Sequence, residues 1–165
     1  MLNEIETERL VLRPFVETDR AAILALHADP RAKRSDPDSP DAAVLPGLFD
    51  GWLAHWAEHG YGYCAVRERG HAEVIGLAGV RTRNHRGETV LNLAYRLSPA
   101  YWGQGYAVEA ARAVVGWAER EVPSIPVLIS VNVANTPSLR VVQKLGFTRY
   151  AEEICGGTPS RHFRR

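Results

Sequence analysis

The residue types most able to do chemistry lie in a glycine-rich segment, residues 99–107 (PAYWGQGYA). This segment stands between a stretch typical of a strand and a stretch typical of a helix. Because Gly103 and Gly105 carry no side chain, the backbone can approach a ligand closely at both positions. The first amides of the following helix point outward, at the positive end of the helix dipole. The pattern therefore predicts a phosphate-binding loop that needs no basic side chain.

The spacing excludes two other phosphate motifs. The segment has no Gly-Lys pair, which a Walker A loop requires. Val108 stands where the dinucleotide-binding fingerprint requires glycine or alanine. A bare Gly-x-Gly also begins ordinary helices, so the loop by itself leaves a purely structural interpretation open.

A second segment, residues 132–138 (NVANTPS), leaves a predicted strand and enters a predicted helix. Thr136 is the expected N-cap of that helix and Pro137 its first residue. The helix is expected to end at Gly146, within residues 144–147 (KLGF).

Together the two segments resemble the Gcn5-related N-acetyltransferase (GNAT) superfamily. The glycine-rich segment of residues 99–107, called the glycine loop from here on, is followed by residues 108–111 (VEAA). Together they are most similar to the branch of ribosomal-protein alanine N-acetyltransferases. The asparagine and serine of the second segment, and residues 7–14 (TERLVLRP), support the same branch. The resemblance covers residues 7–155 and implies a transferase that moves an acetyl group from acetyl-CoA to a primary amine, by direct attack in a ternary complex.

The resemblance also implies where coenzyme A binds. Its pyrophosphate would lie on the glycine loop, and its pantetheine arm would pair with residues 95–97 of a strand that splays from its neighbour. Asn135 matches the family's asparagine that bonds the pantetheine region. Its side chain offers both a donor and an acceptor, which suits an amide. Arg140 and Lys144 are candidates to meet a phosphate. The implied cofactor-binding residues are Tyr95, Leu97, Trp102, Gly103, Gln104, Gly105, Tyr106, Ala107, Asn135 and Ser138; no metal is implied.

Two candidate catalytic residues, Ser138 and Asn92, stand where the chain departs from the family pattern. Many members place a tyrosine, the acid for the leaving thiol, where this chain has Val142. Ser138 either bonds the thiol sulfur, directly or through water, or bonds only the helix backbone. Asn92 replaces a glutamate that relatives often carry; it cannot take a proton at neutral pH but can position water or the amine.

The general base is left undetermined by the sequence. Glu88, His85 and His27 are candidates without a motif behind them. A protein α-amine, with a pKa of about 7.7–8.0, loses its proton readily, so a chain of water molecules is an alternative to a side-chain base.

Two further patterns admit a structural interpretation. His55 and His59, in residues 55–59 (HWAEH), fit a metalloprotease pattern. Because Gly60 follows them, we expect both in the last helical turn, facing solvent, and no metal. Aromatic side chains either form core or line an acceptor pocket, namely Trp52, Trp56, Tyr61 and Tyr63.

The elements that must position these segments alternate between helix and strand. Helical periodicity predicts helices near residues 18–27, 48–60, 105–121 and 136–146, and a specificity-shaping loop over residues 29–46. We expect an α/β (α+β) fold, with a single mixed, mostly antiparallel sheet of six to seven strands, about four helices, and the fourth and fifth strands splayed. The strands are predicted near residues 9–14, 61–66, 74–80, 90–97, 127–133, 149–155 and 160–164.

Composition bounds the function class. The 165 residues carry 45% hydrophobic and 24% charged side chains, which is typical of one globular domain, expected over residues 1–165. A net charge of +1 argues against a nucleic-acid partner, and the lack of a long apolar run argues against a membrane span. The two cysteines and an N-terminal segment without a signal-peptide pattern predict a reduced, cytoplasmic setting.

The expected function is therefore acetyl-CoA-dependent N-acetylation. The branch resemblance favours a protein or peptide N-terminal α-amine as the acceptor. A small molecule, such as a polyamine or an aminoglycoside-like compound, is the alternative acceptor. A coenzyme A-binding module that has lost catalysis is the alternative class, because Val142 and Asn92 replace groups that often act in catalysis. The sequence leaves a homodimer open.

Overall fold

A computed structural model describes residues 1–154 and 157–165 of the chain. Within these ranges one sheet carries eight strands, and five α-helices and two short 3-10 turns connect them. The helices are α1 (Arg20–Ala28), α2 (Pro30–Ser35), α3 (Leu45–His59), α4 (Tyr106–Glu121) and α5 (Thr136–Lys144). The strands are β1 (Ile5–Glu6), β2 (Leu10–Pro14), β3 (Tyr63–Glu68), β4 (Gly76–His85), β5 (Glu88–Leu97), β6 (Val127–Asn132), β7 (Tyr150–Ile154) and β8 (Pro159–Arg164).

The strands follow the order β1-β2-β3-β4-β5-β6-β8-β7, and every neighbouring pair is antiparallel except β5 and β6. The predicted mixed, mostly antiparallel sheet is confirmed, with β1 as a strand that the periodicity did not predict. The two last predicted strands, near residues 149–155 and 160–164, correspond to β7 and β8, which pair antiparallel. Cys155 and Gly156, at the end of the first of them, lie outside the described residues.

The predicted splay is confirmed at the pair β5 and β6. Their parallel ladder consists of Leu91 opposite Val127 and Asn92 opposite Leu128, after which the two strands, both wholly described, share no further pair. The second half of β5 therefore has one edge without a strand partner, and a ligand can occupy the gap.

The sheet buries two apolar layers. One face packs against α4, whose buried stripe includes Ala110, Val114 and Ala118. The other face packs against α1 and α3, through Ile23 and Trp52 among others. Within the described ranges, no helix has both the length and the apolar character needed to cross a membrane.

Two local predictions were wrong, and in both places a side chain caps the start of a helix that the sequence pattern did not place there. The predicted loop over residues 29–46 contains α2, which Asp29 caps by accepting a hydrogen bond from the amide of Arg31. The N-cap of α5 is Asn135, not Thr136: its Oδ1 accepts from the amide of Ser138 at 3.2 Å. Asparagine is a strong N-cap residue, so the helix begins one position earlier than expected.

Candidate active site

A cavity of about 470 Å³ opens between the end of β5, the glycine loop and α5. Its lining includes nearly all of the residues that the resemblance assigns to coenzyme A. These are Tyr95, Leu97, Trp102, Gly103, Gly105, Tyr106, Ala107, Asn135 and Ser138. We call it the first cavity.

The glycine loop has a backbone that favours glycine at two positions. Gly103 and Gly105 have φ angles of +77° and +79°, in the left-handed region that other residues rarely adopt. A Cβ on Gly103 would meet no atom within 4 Å, so the space above it is open to a ligand. Gly105 is the N-cap of α4, a helix of 16 residues whose first amides face this space. The loop thus fits a pyrophosphate group.

A polar cluster that the sequence did not predict, formed by Thr7, Arg9 and Glu109, anchors the glycine loop. The Glu109 carboxylate in the first turn of α4 accepts hydrogen bonds from Thr7 Oγ1 at 2.6 Å, the Arg9 amide at 2.8 Å and Arg9 Nε at 2.7 Å. Arg9 also donates to the carbonyl of Gln104 at 2.8 Å and stacks over the Tyr106 ring at 4.5 Å. Residues 7–9 and 109 lie in segments that the resemblance singles out, but their contact spans about a hundred positions.

Three predicted binding residues have structural partners of their own. Gln104 does not line the cavity, and its carbonyl oxygen is engaged by Arg9. Trp102 donates its indole N–H to the carbonyl of Leu97 at 2.8 Å. Tyr106 is buried and donates its hydroxyl to Glu68 at 2.6 Å, so its side chain supports the loop.

The Tyr95 side chain bridges the gap between β5 and α5. Its hydroxyl lies 2.7 Å from Ser138 Oγ and donates to the Ser138 carbonyl at 3.2 Å. Burial raises the pKa of this phenol well above its usual range, against the opposing effect of the Ser138 hydrogen bond. The phenol therefore stays protonated. The structure thus places the hydroxyls of Tyr95 and Ser138 together at the splay. The resemblance had assigned Tyr95 only to the strand edge that pairs with the pantetheine arm.

A second cavity of about 370 Å³ adjoins the first. The two share the side chains that stand at the splay, Asp36, Tyr95, Arg96, Asn135 and Ser138. Asn92 lines only the second cavity and donates its amide to the Tyr63 hydroxyl at 2.8 Å. Val142 is fully buried in the core, so its position faces neither cavity.

Of the three candidate bases, only His27 lines a cavity. Glu88 is paired with Arg164 at the far end of β5. His27 Nδ1 lies 3.0 Å from the carbonyl of Ile23, which can only accept, so Nδ1 carries the proton and Nε2 keeps its lone pair. Burial lowers the pKa of His27, so the imidazole is neutral at pH 7.

The metalloprotease-like pair does not form a metal site. His55 Nδ1 donates to the carbonyl of Tyr61 at 2.9 Å, and His55 Nε2 accepts from the amide of Thr82 at 3.0 Å. Both ring nitrogens are thus engaged, and His55 is buried, so the expectation that it faces solvent was wrong. Among residues 1–154 and 157–165, no group of three histidine, cysteine or acidic side chains could hold a metal ion.

The aromatic residues divide between the two interpretations. Trp52 and Tyr63 line the second cavity and pack against each other, with their ring centres 5.4 Å apart. Trp56 and Tyr61 pack against the core and do not line it. The segment after α2 contributes Asp36 and two neighbours to the lining, namely Asp38 and Pro40.

Known proteins are similar to this chain in sequence and in fold. The YkkB protein of Bacillus subtilis strain 168 is 30% identical over 163 residues, which cover 92% of this chain and 88% of YkkB. An acetyltransferase from Agrobacterium tumefaciens strain C58 is 26% identical, covers 100% of this chain and 95% of its own, and superposes with a TM-score of 0.81.

A third comparison is with RimL, a ribosomal L7/L12 alpha-N-protein acetyltransferase solved with coenzyme A. It is 17% identical, with a TM-score of 0.71 over 99% of this chain and 97% of RimL, so this similarity is one of fold. The family described as acetyltransferase (GNAT) domain matches residues 9–148, which is most of the chain. The chain therefore belongs to the GNAT acetyltransferase family.

Proposed function

We propose that this protein transfers the acetyl group of acetyl-CoA to a primary amine, and that the acceptor is the N-terminal α-amine of a peptide or protein. The observation that carries the proposal is the meeting of two cavities at Tyr95, Asn135 and Ser138. One cavity has the phosphate-binding loop, and the other has room for an acceptor. Their junction is where an acetyl group would pass from one ligand to the other.

Coenzyme A is held by the first cavity in this proposal. The amides of residues 103–107 bind the pyrophosphate, and Arg140 and Lys144 on the α5 side add positive charge for a further phosphate. The free edge of β5 at residues 95–97 pairs with the amides of the pantetheine arm. Bound acetyl-CoA supplies an acetyl group activated as a thioester.

Ser138 and Tyr95 act on the leaving group. Their hydroxyls are 2.7 Å apart, so when the Tyr95 hydroxyl donates to Ser138 Oγ instead of to the more distant Ser138 carbonyl, the Ser138 hydroxyl can donate outward to a sulfur atom. A thiol has a pKa of about 8.5, so the departing thiolate needs hydrogen bonds more than it needs a strong acid. This pair therefore takes over the role that Val142, buried in the core, cannot perform.

His27 and Asn92 prepare the acceptor. The unprotonated Nε2 of His27 receives the proton that the amine must lose before or during attack. Asn92, whose amide is already directed by the Tyr63 hydroxyl, orients the amine or a water molecule through its oxygen. An N-terminal α-amine suits this weak base, because its own pKa is about 7.7–8.0.

The acceptor class rests on two supports, the branch resemblance of the motifs and the fold similarity to RimL, whose name specifies a protein α-amine. A coenzyme A-binding module without catalysis is the second candidate. It is favoured by Val142 and by the lack of a carboxylate at Asn92. In that case, coenzyme A would bind but no amine would be acetylated.

A binding experiment with a turnover arm tests the proposal. Calorimetric titration with coenzyme A should give saturable binding to the wild type and none to Gly105→Glu, because the new side chain brings bulk and negative charge to the phosphate loop. Gly70→Glu is the matched control: Gly70 has the same left-handed backbone, with a φ of +77°, and lies in neither cavity. Coenzyme A binding without acetylation of any N-terminal peptide or small amine would favour the silent module. Unchanged binding by Gly105→Glu would remove the phosphate assignment.

A further inference from the structure

Two arginines that line the second cavity form no ion pair with any carboxylate of the described residues. Arg81 and Arg83 line it from β4. Arg96, which also lines this cavity, is by contrast paired with Asp36 at 2.8 Å. Within residues 1–154 and 157–165, no carboxylate oxygen lies within 4.0 Å of the guanidinium of Arg81 or Arg83.

Arg81 is held so that its charge is partly removed from water. Its Nε atom is inaccessible to solvent and has no hydrogen-bond partner among the described residues. Its guanidinium lies 5.8 Å from the centre of the Tyr63 ring, the same ring whose hydroxyl accepts from Asn92. An unpaired buried donor on a cation is costly, and an anion in the cavity would offset that cost.

The two ends of the second cavity differ in charge. Asp36 and Asp38 lie at the end of the splay, beside Arg96, whereas Arg81 stands opposite Asn92 on the paired part of β5. Asn92 and Tyr95 are three positions apart on β5, which is ~10 Å along the strand. An amine that reaches the splay and an acid a few bonds further away would match both ends.

We propose that the acceptor carries a carboxylate, which Arg81 and Arg83 bind while its amine lies at the splay. This inference rests on the proposed function and narrows its substrate class. Because this ~10 Å joins backbone positions and a long arginine side chain can reach across part of it, the spacing favours an acid on a side chain, a few bonds from the amine, over an α-carboxylate directly next to the amine. An acidic residue at the second position of a peptide satisfies it, and so does the side-chain acid of a free amino acid.

The test measures binding to the protein loaded with coenzyme A, in which no acetyl group is present and no reaction occurs. The probes are two amidated peptides, Ala-Glu-Ala-Ala and Ala-Gln-Ala-Ala, and the pair of free glutamate and glutamine. Each pair differs by one negative charge at nearly constant shape. We expect the acidic probe to bind about tenfold more tightly or better, and added salt to reduce the difference.

Three variants assign the effect. Arg81→Gln and Arg83→Gln should each remove most of the preference for the acidic probe while leaving the affinity for the neutral probe unchanged. Arg120→Gln is the control. The substitution removes the same charge, but Arg120 is an exposed residue of α4 that lines neither cavity. Coenzyme A affinity confirms that each variant is folded, and if Arg81→Gln fails this check, Arg83→Gln carries the test.

The outcomes distinguish a peptide carboxylate from that of a small molecule. They also distinguish failure of this inference from failure of the proposed acetylation. Preference for the acidic peptide supports an acidic peptide N-terminus, and preference for glutamate alone supports a small acidic amine. Equal or undetectable binding within both pairs, or an equal loss in Arg120→Gln, overturns the inference. Failure of the proposed function is read separately, as absence of acetylation when acetyl-CoA replaces coenzyme A.

Discussion

Replacing Glu109 with glutamine tests whether the polar cluster of Thr7, Arg9 and Glu109 holds the glycine loop in place. The carboxylate accepts three hydrogen bonds from Thr7 and Arg9, and its side chain is 16% exposed. Burial tends to raise the pKa of Glu109, but the hydrogen bonds from Thr7 and Arg9 outweigh it and lower the pKa below the usual range. The ionised form is therefore the one that the fold stabilises.

The size of the effect follows from these contacts. A hydrogen bond to a charged group contributes about 1.5–3 kcal/mol, and the amide of glutamine can still accept one or two of the three. We expect Glu109→Gln to lower the free energy of unfolding by about 2–3 kcal/mol. For a domain of this size, the melting temperature should fall by roughly 4–12 °C. Because Arg9 also holds the Gln104 carbonyl, coenzyme A affinity should fall by about tenfold.

Thermal unfolding monitored by circular dichroism and calorimetric titration with coenzyme A measure the two effects. The matched control is Glu119→Gln, on the same helix, where a 43% exposed carboxylate makes one ion pair with Arg165. Its expected cost is at most about 0.5 kcal/mol. If Glu109→Gln melts with the control and binds coenzyme A as the wild type does, the cluster does not hold the loop and this reasoning is wrong.

Two further predictions concern the splay and the buried histidines. Tyr95→Phe removes the hydroxyl at Ser138 and should lower kcat by about tenfold or more while leaving coenzyme A affinity within about twofold. The control is Tyr61→Phe, which loses only a hydrogen bond to Thr82 and lines neither cavity; it should change neither quantity, and equal kcat in both variants in steady-state assays would argue against the hydroxyl pair. Burial lowers the pKa of His27 and of His55, so the unfolded chain binds more protons than the folded one below about pH 6.5, and the melting temperature should fall as the pH drops from about 7.5 to about 5.5. His27→Gln should weaken that acid sensitivity, whereas a melting temperature independent of pH over this window would contradict the burial argument.

Local patterns predicted the parts of the fold that local physics determines. The glycine loop needs a left-handed backbone at two positions, and glycine, the residue type at Gly103 and Gly105, adopts it most readily. The loop and the start of α4 could therefore be placed from the sequence. The splay of β5 from β6 was available only from the family resemblance, because strand pairing is not a local property. Helix α2 was missed because its six residues are too few for a periodic pattern.

The parts of the candidate site that the sequence did not predict depend on contacts between distant segments. Glu109 contacts Thr7 and Arg9 across about a hundred residues, and nothing near either segment indicates the pairing. His55 looked like a solvent-facing residue of a last helical turn, yet β4 supplies a partner for its second nitrogen. The unpaired charge of Arg81 becomes visible only when the carboxylates around it can be located.

The most direct test of the proposed N-acetylation is a single-turnover mixture of wild-type protein, acetyl-CoA and an amidated peptide with a free N-terminus, in which the free thiol and the acetylated peptide are measured in the same sample. We expect that both products form in equal amounts, that the acetyl group is on the α-amine, and that Gly105→Glu forms neither. Tight coenzyme A binding with no acetylated peptide or small amine, or thiol release without an acetylated product, would contradict it.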